Sequence, residues 1–321
     1  MKADTLDKFC TVPLQFIRKH GNSIPFDIYL KLSDSKVVKI SNKDGDVHDI
    51  VQKYVDKGVD LIYAEKQDYL TCIKNFREGF TSKFFDPSIP EEENILDLNA
   101  GLEMVRESMK KIGMNDETIR MAKEVTQRSL TIVSARPNIF KFFADFKEKC
   151  SEEYVKNTLV SYTTLSLLDT FDWSSESIKE KMSLACMLRD VMLQPKDFAL
   201  IQEFEKKGKF TDLPEPLFNH PLNTAALFEA DKNRWLSQDV CTLIRQHHER
   251  QDGSGFPLGL SHSKITPLSC VLIVADHFIS LMIDYKFDLK KKAEIMATLE
   301  STYTKGGMRK AYDALALILG D

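Results

Sequence analysis

The stretch His247-His248-Glu249-Arg250-Gln251-Asp252-Gly253-Ser254-Gly255-Phe256-Pro257 sets two adjacent imidazoles and two carboxylates beside a turn with two glycines and a proline. Just upstream, Val240, Leu243, Ile244 and His247 recur at i, i+3, i+4 and i+7. That spacing predicts an amphipathic helix over about 237–249, capped by Ser237, with His247 on its buried stripe and His248 one step to the side. A single histidine on an apolar face is usually a core residue. Two together, followed at once by Glu249 and Asp252, point instead to a metal or phosphate site. Gly253 and Gly255 permit positive φ and close backbone approach, and Pro257 fixes the exit from the loop.

Three other places carry ligand chemistry in unusual surroundings. Asp276 interrupts the apolar run Val271–Ile279, where an unpaired carboxylate is costly unless it meets a cation or a hydrogen-bond donor. Arg189-Asp190 ends the apolar run Leu184–Leu188, and by itself reads as an ordinary solvated helix end. His220-Pro221 closes a polar loop segment and alone would mean little.

The rest of the chain supplies the frame, an α+β protein in two parts. Residues 1–90 read as a small mixed α/β module. Strands are predicted at 26–32, 37–40 and 59–64, a helix from Asp46 to Gly58, and another after Asp68. His20 and His48 there are isolated, and the acids at 41–46 lack the spacing of a calcium loop. Two prolines and Glu91-Glu92-Glu93 within 80–93 mark the boundary. Residues 91–321 read as an all-α bundle, with lead-in helices over 91–150 and a core over 150–320. Helices are expected at about 94–112, 115–136, 138–149, 152–171, from Ser174 or Ser175 to Arg189, at 197–206, 215–231, 237–249 and 267–283, and once or twice near the C-terminus.

A net charge of −4 offers no footprint for nucleic acid or an anionic membrane. The opening residues mix charges and do not form a secretion signal, and the apolar run Leu268–Ile283 is too short to span a bilayer. Six scattered cysteines with no CxxC pair read as reduced, mostly buried thiols of a cytoplasmic protein.

Taken together, residues 247–257, the following Leu258-Gly259-Leu260 and Val274-Ala275-Asp276 resemble the HD-GYP family, whose signature is HHExxDGxGYP, a GL and a VAD aspartate. The resemblance covers roughly 150–320. It implies a helical HD-type fold and metal-dependent hydrolysis of the bacterial second messenger cyclic di-GMP, with two or more iron or manganese ions. Residues 1–90 would be a sensory or regulatory attachment. Carried over, the metal ligands present are Asp190, His220, His247, His248 and Asp276.

The departures are as specific as the matches. The histidine of the HD dyad is Arg189, and the family's first histidine, due near Lys156 or Asn157, is missing. One metal position therefore keeps only two carboxylates, while Asp190, His220, His247 and His248 form a sensible set for a single iron, manganese or other divalent ion. Arg189 would act as a charge substitute at the vacated position. Leu193 and Cys270 stand where the family has a lysine and an arginine, and Phe256 replaces the GYP tyrosine. The expected protein is a degenerate member, a signalling or scaffold protein of the cyclic di-GMP pathway with no intact catalytic set and doubtful cyclic di-GMP binding. Its loop Asp252, Gly253, Gly255, Phe256, Pro257 would serve as a surface for a protein partner. The alternative is an active metal-dependent phosphodiesterase with an altered site. Asp190 and Glu249 would then be catalytic, and Asp276, Glu249 or His277 would hold a substitute metal.

Overall fold

A computed structural model describes residues 8–13, 26–33, 36–43, 61–71, 115–134, 152–208, 210–230 and 235–320, with single residues or pairs at 45, 53–54, 57, 59, 73–74, 78 and a few between 101 and 113. The expected boundary at 80–93, the helix at 138–149 and both His20 and His48 lie outside the described residues. The chain divides into two compact units. One is Met1–Asp86 with Glu107–Met121, and the other is Pro87–Arg106 with Ala122–Asp321.

The first unit holds a four-stranded antiparallel sheet: β1 (Phe9–Pro13), β2 (Ile28–Ser33), β3 (Lys36–Ser41) and β4 (Leu61–Glu65), in the order β1-β4-β2-β3. β1 was not expected, since five residues ending in proline give no alternation to read. It pairs along β4, with Cys10 opposite Ala64 and Val12 opposite Ile62. All four of these side chains are buried together with Phe26 and Ile28, so one sheet face is apolar. Leu32, near the end of β2, is exposed.

The second unit is helical: α1 (Asp116–Ser134, whose first residues belong to the other unit), α2 (Glu152–Leu168), α3 (Glu176–Leu188), α4 (Pro195–Lys207), the single turn α5 (Glu215–Phe218), α6 (His220–Glu229), α7 (Gln238–Gln246), α8 (Pro267–Asp284), α9 (Lys292–Thr302) and α10 (Gly306–Leu319). α8 is the central helix and packs against α2, α3, α7, α9 and α10. Its mean character is apolar enough to cross a membrane, but ten of its residues are buried within the bundle. Caps set the boundaries. The Ser175 hydroxyl accepts from Ile178 N and starts α3, and Thr266 accepts from Ser269 N and starts α8. Ser237 stands before α7 in extended backbone, yet its hydroxyl caps nothing. α7 also ends earlier than its apolar spacing suggests, at Gln246. Of the cysteines, Cys10, Cys186, Cys241 and Cys270 are buried, and Cys72 and Cys150 lie outside the described residues.

Candidate metal centre

Three helix ends and the central helix build the site. α3 stops at Leu188 and delivers Arg189 and Asp190 into the interior, where both are buried rather than solvated. α6 begins at His220, with Pro221 in its first turn, where a missing N–H costs no helical bond. α7 stops at Gln246, so His247 and His248 follow on the turn that leads into the loop.

The hydrogen bonds of the three histidines fix what they offer. Nδ1 of His220 lies 2.6 Å from the Leu217 carbonyl oxygen, and Nδ1 of His247 lies 2.6 Å from that of Ile244. A carbonyl can only accept, so Nδ1 carries the hydrogen and Nε2 keeps a bare lone pair in the neutral ring. His248 reaches the same state differently, with Nδ1 3.2 Å from Glu205 Oε1. No Nε2 of the three has a hydrogen-bond partner. Two of them, from His220 and His247, lie 3.4 Å from Asp190 Oδ1, too long for a good hydrogen bond. One ligand atom from each of Asp190, His220, His247 and His248 falls within 4.8 Å of all the others.

Lone pairs and an anionic oxygen thus converge in a buried pocket, an arrangement that repels itself unless a cation lies between them. Burial holds His247 below the usual imidazole range and pulls His248 down to about 3, so neither ring supplies that cation by protonation. For Asp190, burial opposes ionisation, but the Arg189 guanidinium that donates to it favours the charge, and the carboxyl lies well below its usual range. Three imidazoles and a carboxylate suit a divalent transition metal. A cavity of about 20 Å³, lined by Asp190, His247, His248, Lys156 and Arg189, has room for one ion or one water. The residues fit a single ion, which when bound would act as a Lewis acid on a coordinated oxygen.

Asp276, expected among the ligands, is committed elsewhere. Arg189 Nη2 donates to its Oδ1 at 2.5 Å, and Lys156 Nζ lies 3.0 Å from its Oδ2. Arg189 also donates from Nε to Asp190 Oδ2 at 3.1 Å and from Nη2 to Asn157 Oδ1 at 3.3 Å. Two carboxylates therefore meet two fixed cations. Burial works against ionising Asp276, but Lys156 and Arg189 prevail and bring its pKa to about 2. Burial likewise works against the Lys156 ammonium, and Asp276 keeps it above its ordinary value. Lys156 was singled out in the sequence only as a place where a histidine was missing. Its partnership with an aspartate 120 positions away could not be read there.

The loop residues have structural duties. Both oxygens of buried Glu249 accept backbone hydrogens, from Leu258 N at 2.7 Å and Leu260 N at 2.6 Å, so Glu249 ties the loop down. His277, the other substitute considered, holds the Tyr303 hydroxyl 2.9 Å from its Nδ1. Asp252 Oδ1 accepts from Ser254 N and Oγ. Gly253 has φ +81°, and a Cβ on Gly255 would overlap the backbone of Glu249 and Arg250. Phe256 is 0% exposed. Its ring stacks on His248 with centroids 4.4 Å apart and joins Leu193, Ile201, Phe210, Leu213 and Leu217 in an apolar cluster. The Phe256–Pro257 peptide is cis. Beside the metal cluster a cleft of about 540 Å³ is lined by His248, Arg250, Asp276, His277, Asp284 and Tyr303, among others.

A family model described as "HD domain" matches residues 143–303. The chain belongs to the HD domain family. The matched span contains every residue of the cluster, from Lys156 to Asp276. No curated protein matches the sequence. Among solved structures, the chain is similar to Bd1817, a HDG"Y"P protein from Bdellovibrio bacteriovorus, with a TM-score of 0.58 and 17% identity over 98% of this chain and 100% of that one. At that identity the likeness concerns the fold, which is HD-GYP-like, and the HD domain here carries a His/Asp set able to hold a metal.

Proposed function

We propose that this protein is a degenerate HD-GYP-type protein, a signalling or scaffold component of a cyclic di-GMP pathway that holds one divalent ion and hydrolyses little or no cyclic di-GMP. The observation that carries the reading is the double occupation of Asp276 by Arg189 and Lys156. In the two-metal pattern of the resembled family, that carboxylate faces an ion held by two histidines. Arg189 stands at one of those positions, and Lys156 at or beside the other. The cations reproduce the charge of an ion but cannot bind and deprotonate a water. Leu193 and Cys270, at the positions of the family's lysine and arginine, are both buried, so neither adds positive charge for a dianionic substrate. The exposed crest of the loop is Leu258, 48% accessible, and we assign partner contact to it rather than to Phe256.

The test is a metal count on protein purified under reducing conditions, together with a cyclic di-GMP hydrolysis assay supplied with iron or manganese. One metal per chain and no turnover is the expected result. Two metals per chain with turnover would overturn the proposal in favour of an active phosphodiesterase, to which the 540 Å³ cleft would give access.

A further inference from the structure

The three histidines are not oriented alike. His220 and His247 each give the Nδ1 hydrogen to a backbone carbonyl three residues earlier, that of Leu217 in α5 and that of Ile244 in α7. His248 has Nδ1 3.2 Å from Glu205 Oε1, a side chain on α4, 43 positions upstream. Its ring is pressed face-on against Phe256, at an interplanar angle of 14°. Stacking fixes the plane of that ring but not which edge faces the cluster, because a half-turn about the Cβ–Cγ bond keeps the plane and exchanges nitrogen for carbon at each edge. Glu205 breaks the tie, since a carboxylate can only accept and so selects the edge that carries the hydrogen.

From this geometry we infer that Glu205 is the positioning residue of the metal site: it holds His248 in the tautomer and orientation that present Nε2 to the ion. The inference rests on the one-metal reading above. Among the described members of the cluster, Glu205 is the side chain that reaches the outer nitrogen of a ligand histidine, and it lines the cavity of about 20 Å³ together with that histidine. An anion behind an imidazole also raises the electron density that the ring can donate, and such outer partners set metal affinity by roughly 10–100-fold. In the sequence, Glu205 lies in Phe204-Glu205-Lys206-Lys207, where it reads as one more solvated charge of an amphipathic helix.

The experiment titrates the full-length metal-free protein with cobalt(II), whose visible spectrum reports the ligand set, and measures the thermal midpoint of each metal-free variant. Glu205→Gln keeps an acceptor for Nδ1 and drops the charge; Glu205→Leu removes both. The expected result is one cobalt per chain in the parent, roughly tenfold weaker binding in Glu205→Gln, and roughly hundredfold weaker binding with an altered spectrum in Glu205→Leu. The metal-free thermal midpoints should stay close together. In a His248→Ala background, Glu205→Leu should cause no further loss, because the residue acts through that ring. Equal cobalt affinity in all three proteins would overturn the inference while leaving the one-metal reading intact. So would a loss that simply adds to that of His248→Ala. A parent protein that binds no cobalt would overturn the one-metal reading itself. Should Glu205→Leu fail to fold, Glu205→Gln and its combination with His248→Ala decide the matter alone.

Discussion

The two halves of the buried site start from the same material and end in opposite states. Each is organised around an aspartate, Asp190 in one and Asp276 in the other, and Arg189 touches both. Around Asp190 stand imidazoles whose inner nitrogens have no partner. Around Asp276 stand an ammonium and a guanidinium that satisfy both oxygens. The first half has a ligand set that could take an external cation, and the second has built its cations into the chain. Burial alone therefore does not make a carboxylate a metal ligand. What decides is whether its neighbours arrive as lone pairs or as charges.

The largest break in this symmetry should come from Asp276→Ala. It strands Lys156 and Arg189 as buried cations with one carboxylate between them, and should cost about 3–5 kcal/mol in urea unfolding of the metal-free protein. An equal loss from Asp190→Ala in metal-free protein would argue that both halves are self-neutralised, against the comparison. Next in size is metal removal. At a free metal concentration about 100-fold above Kd, the ion should add about 2.7 kcal/mol, which a chelator would abolish without unfolding the chain. Complete unfolding on chelation would show that the Asp276 half is not self-sufficient. Somewhat smaller is the acid limb. Asp276 has its pKa lowered from 3.8 to about 2, so its contribution is complete above the ordinary carboxylate value and fades as pH falls from about 4 to about 2. That contribution is on the order of 2 kcal/mol, and Asp276→Asn should flatten this part of a stability–pH curve. Smallest is Arg189→His, which should leave the metal count at one because Lys156 still occupies Asp276. Lys156→His with Arg189→His should raise it to two, and a second ion in the single variant would sink the pairing of these residues.

Much of the frame was legible from spacing. The apolar stripe of Val240, Leu243 and Ile244 placed His247 inside, and the caps at Ser175 and Thr266 bound helices close to where the pattern put them. The four-residue ligand set could be assembled because residues 247–257 resemble the HD-GYP signature, which brings Asp190 and His220 with it; alone, those two read as a solvated helix end and a loop residue. What was not legible depended on pairs. Glu205 and Lys156 are ordinary helix-surface residues until α4 and α2 are brought to His248 and Asp276. Phe256 was expected at the surface with the rest of its loop, beside Gly253 and Gly255, as a place for partner contact. Yet those glycines allow the loop to fold back until its ring stacks on His248. Glu249 lay beside the ligands in sequence, and its carboxylate went to backbone hydrogens of the loop instead.

The bridging guanidinium of Arg189 also constrains how this protein could change over generations. It serves two aspartates at once, while Lys156 serves one of them from a different helix. Replacing either cation alone by a ligand leaves the other facing an incoming ion, so neither step is rewarded until both have been taken. A charge written into the chain in two places is thus a ratchet. It lets this half of the molecule neutralise its carboxylate without an ion, and it leaves no single substitution that would open Asp276 to one.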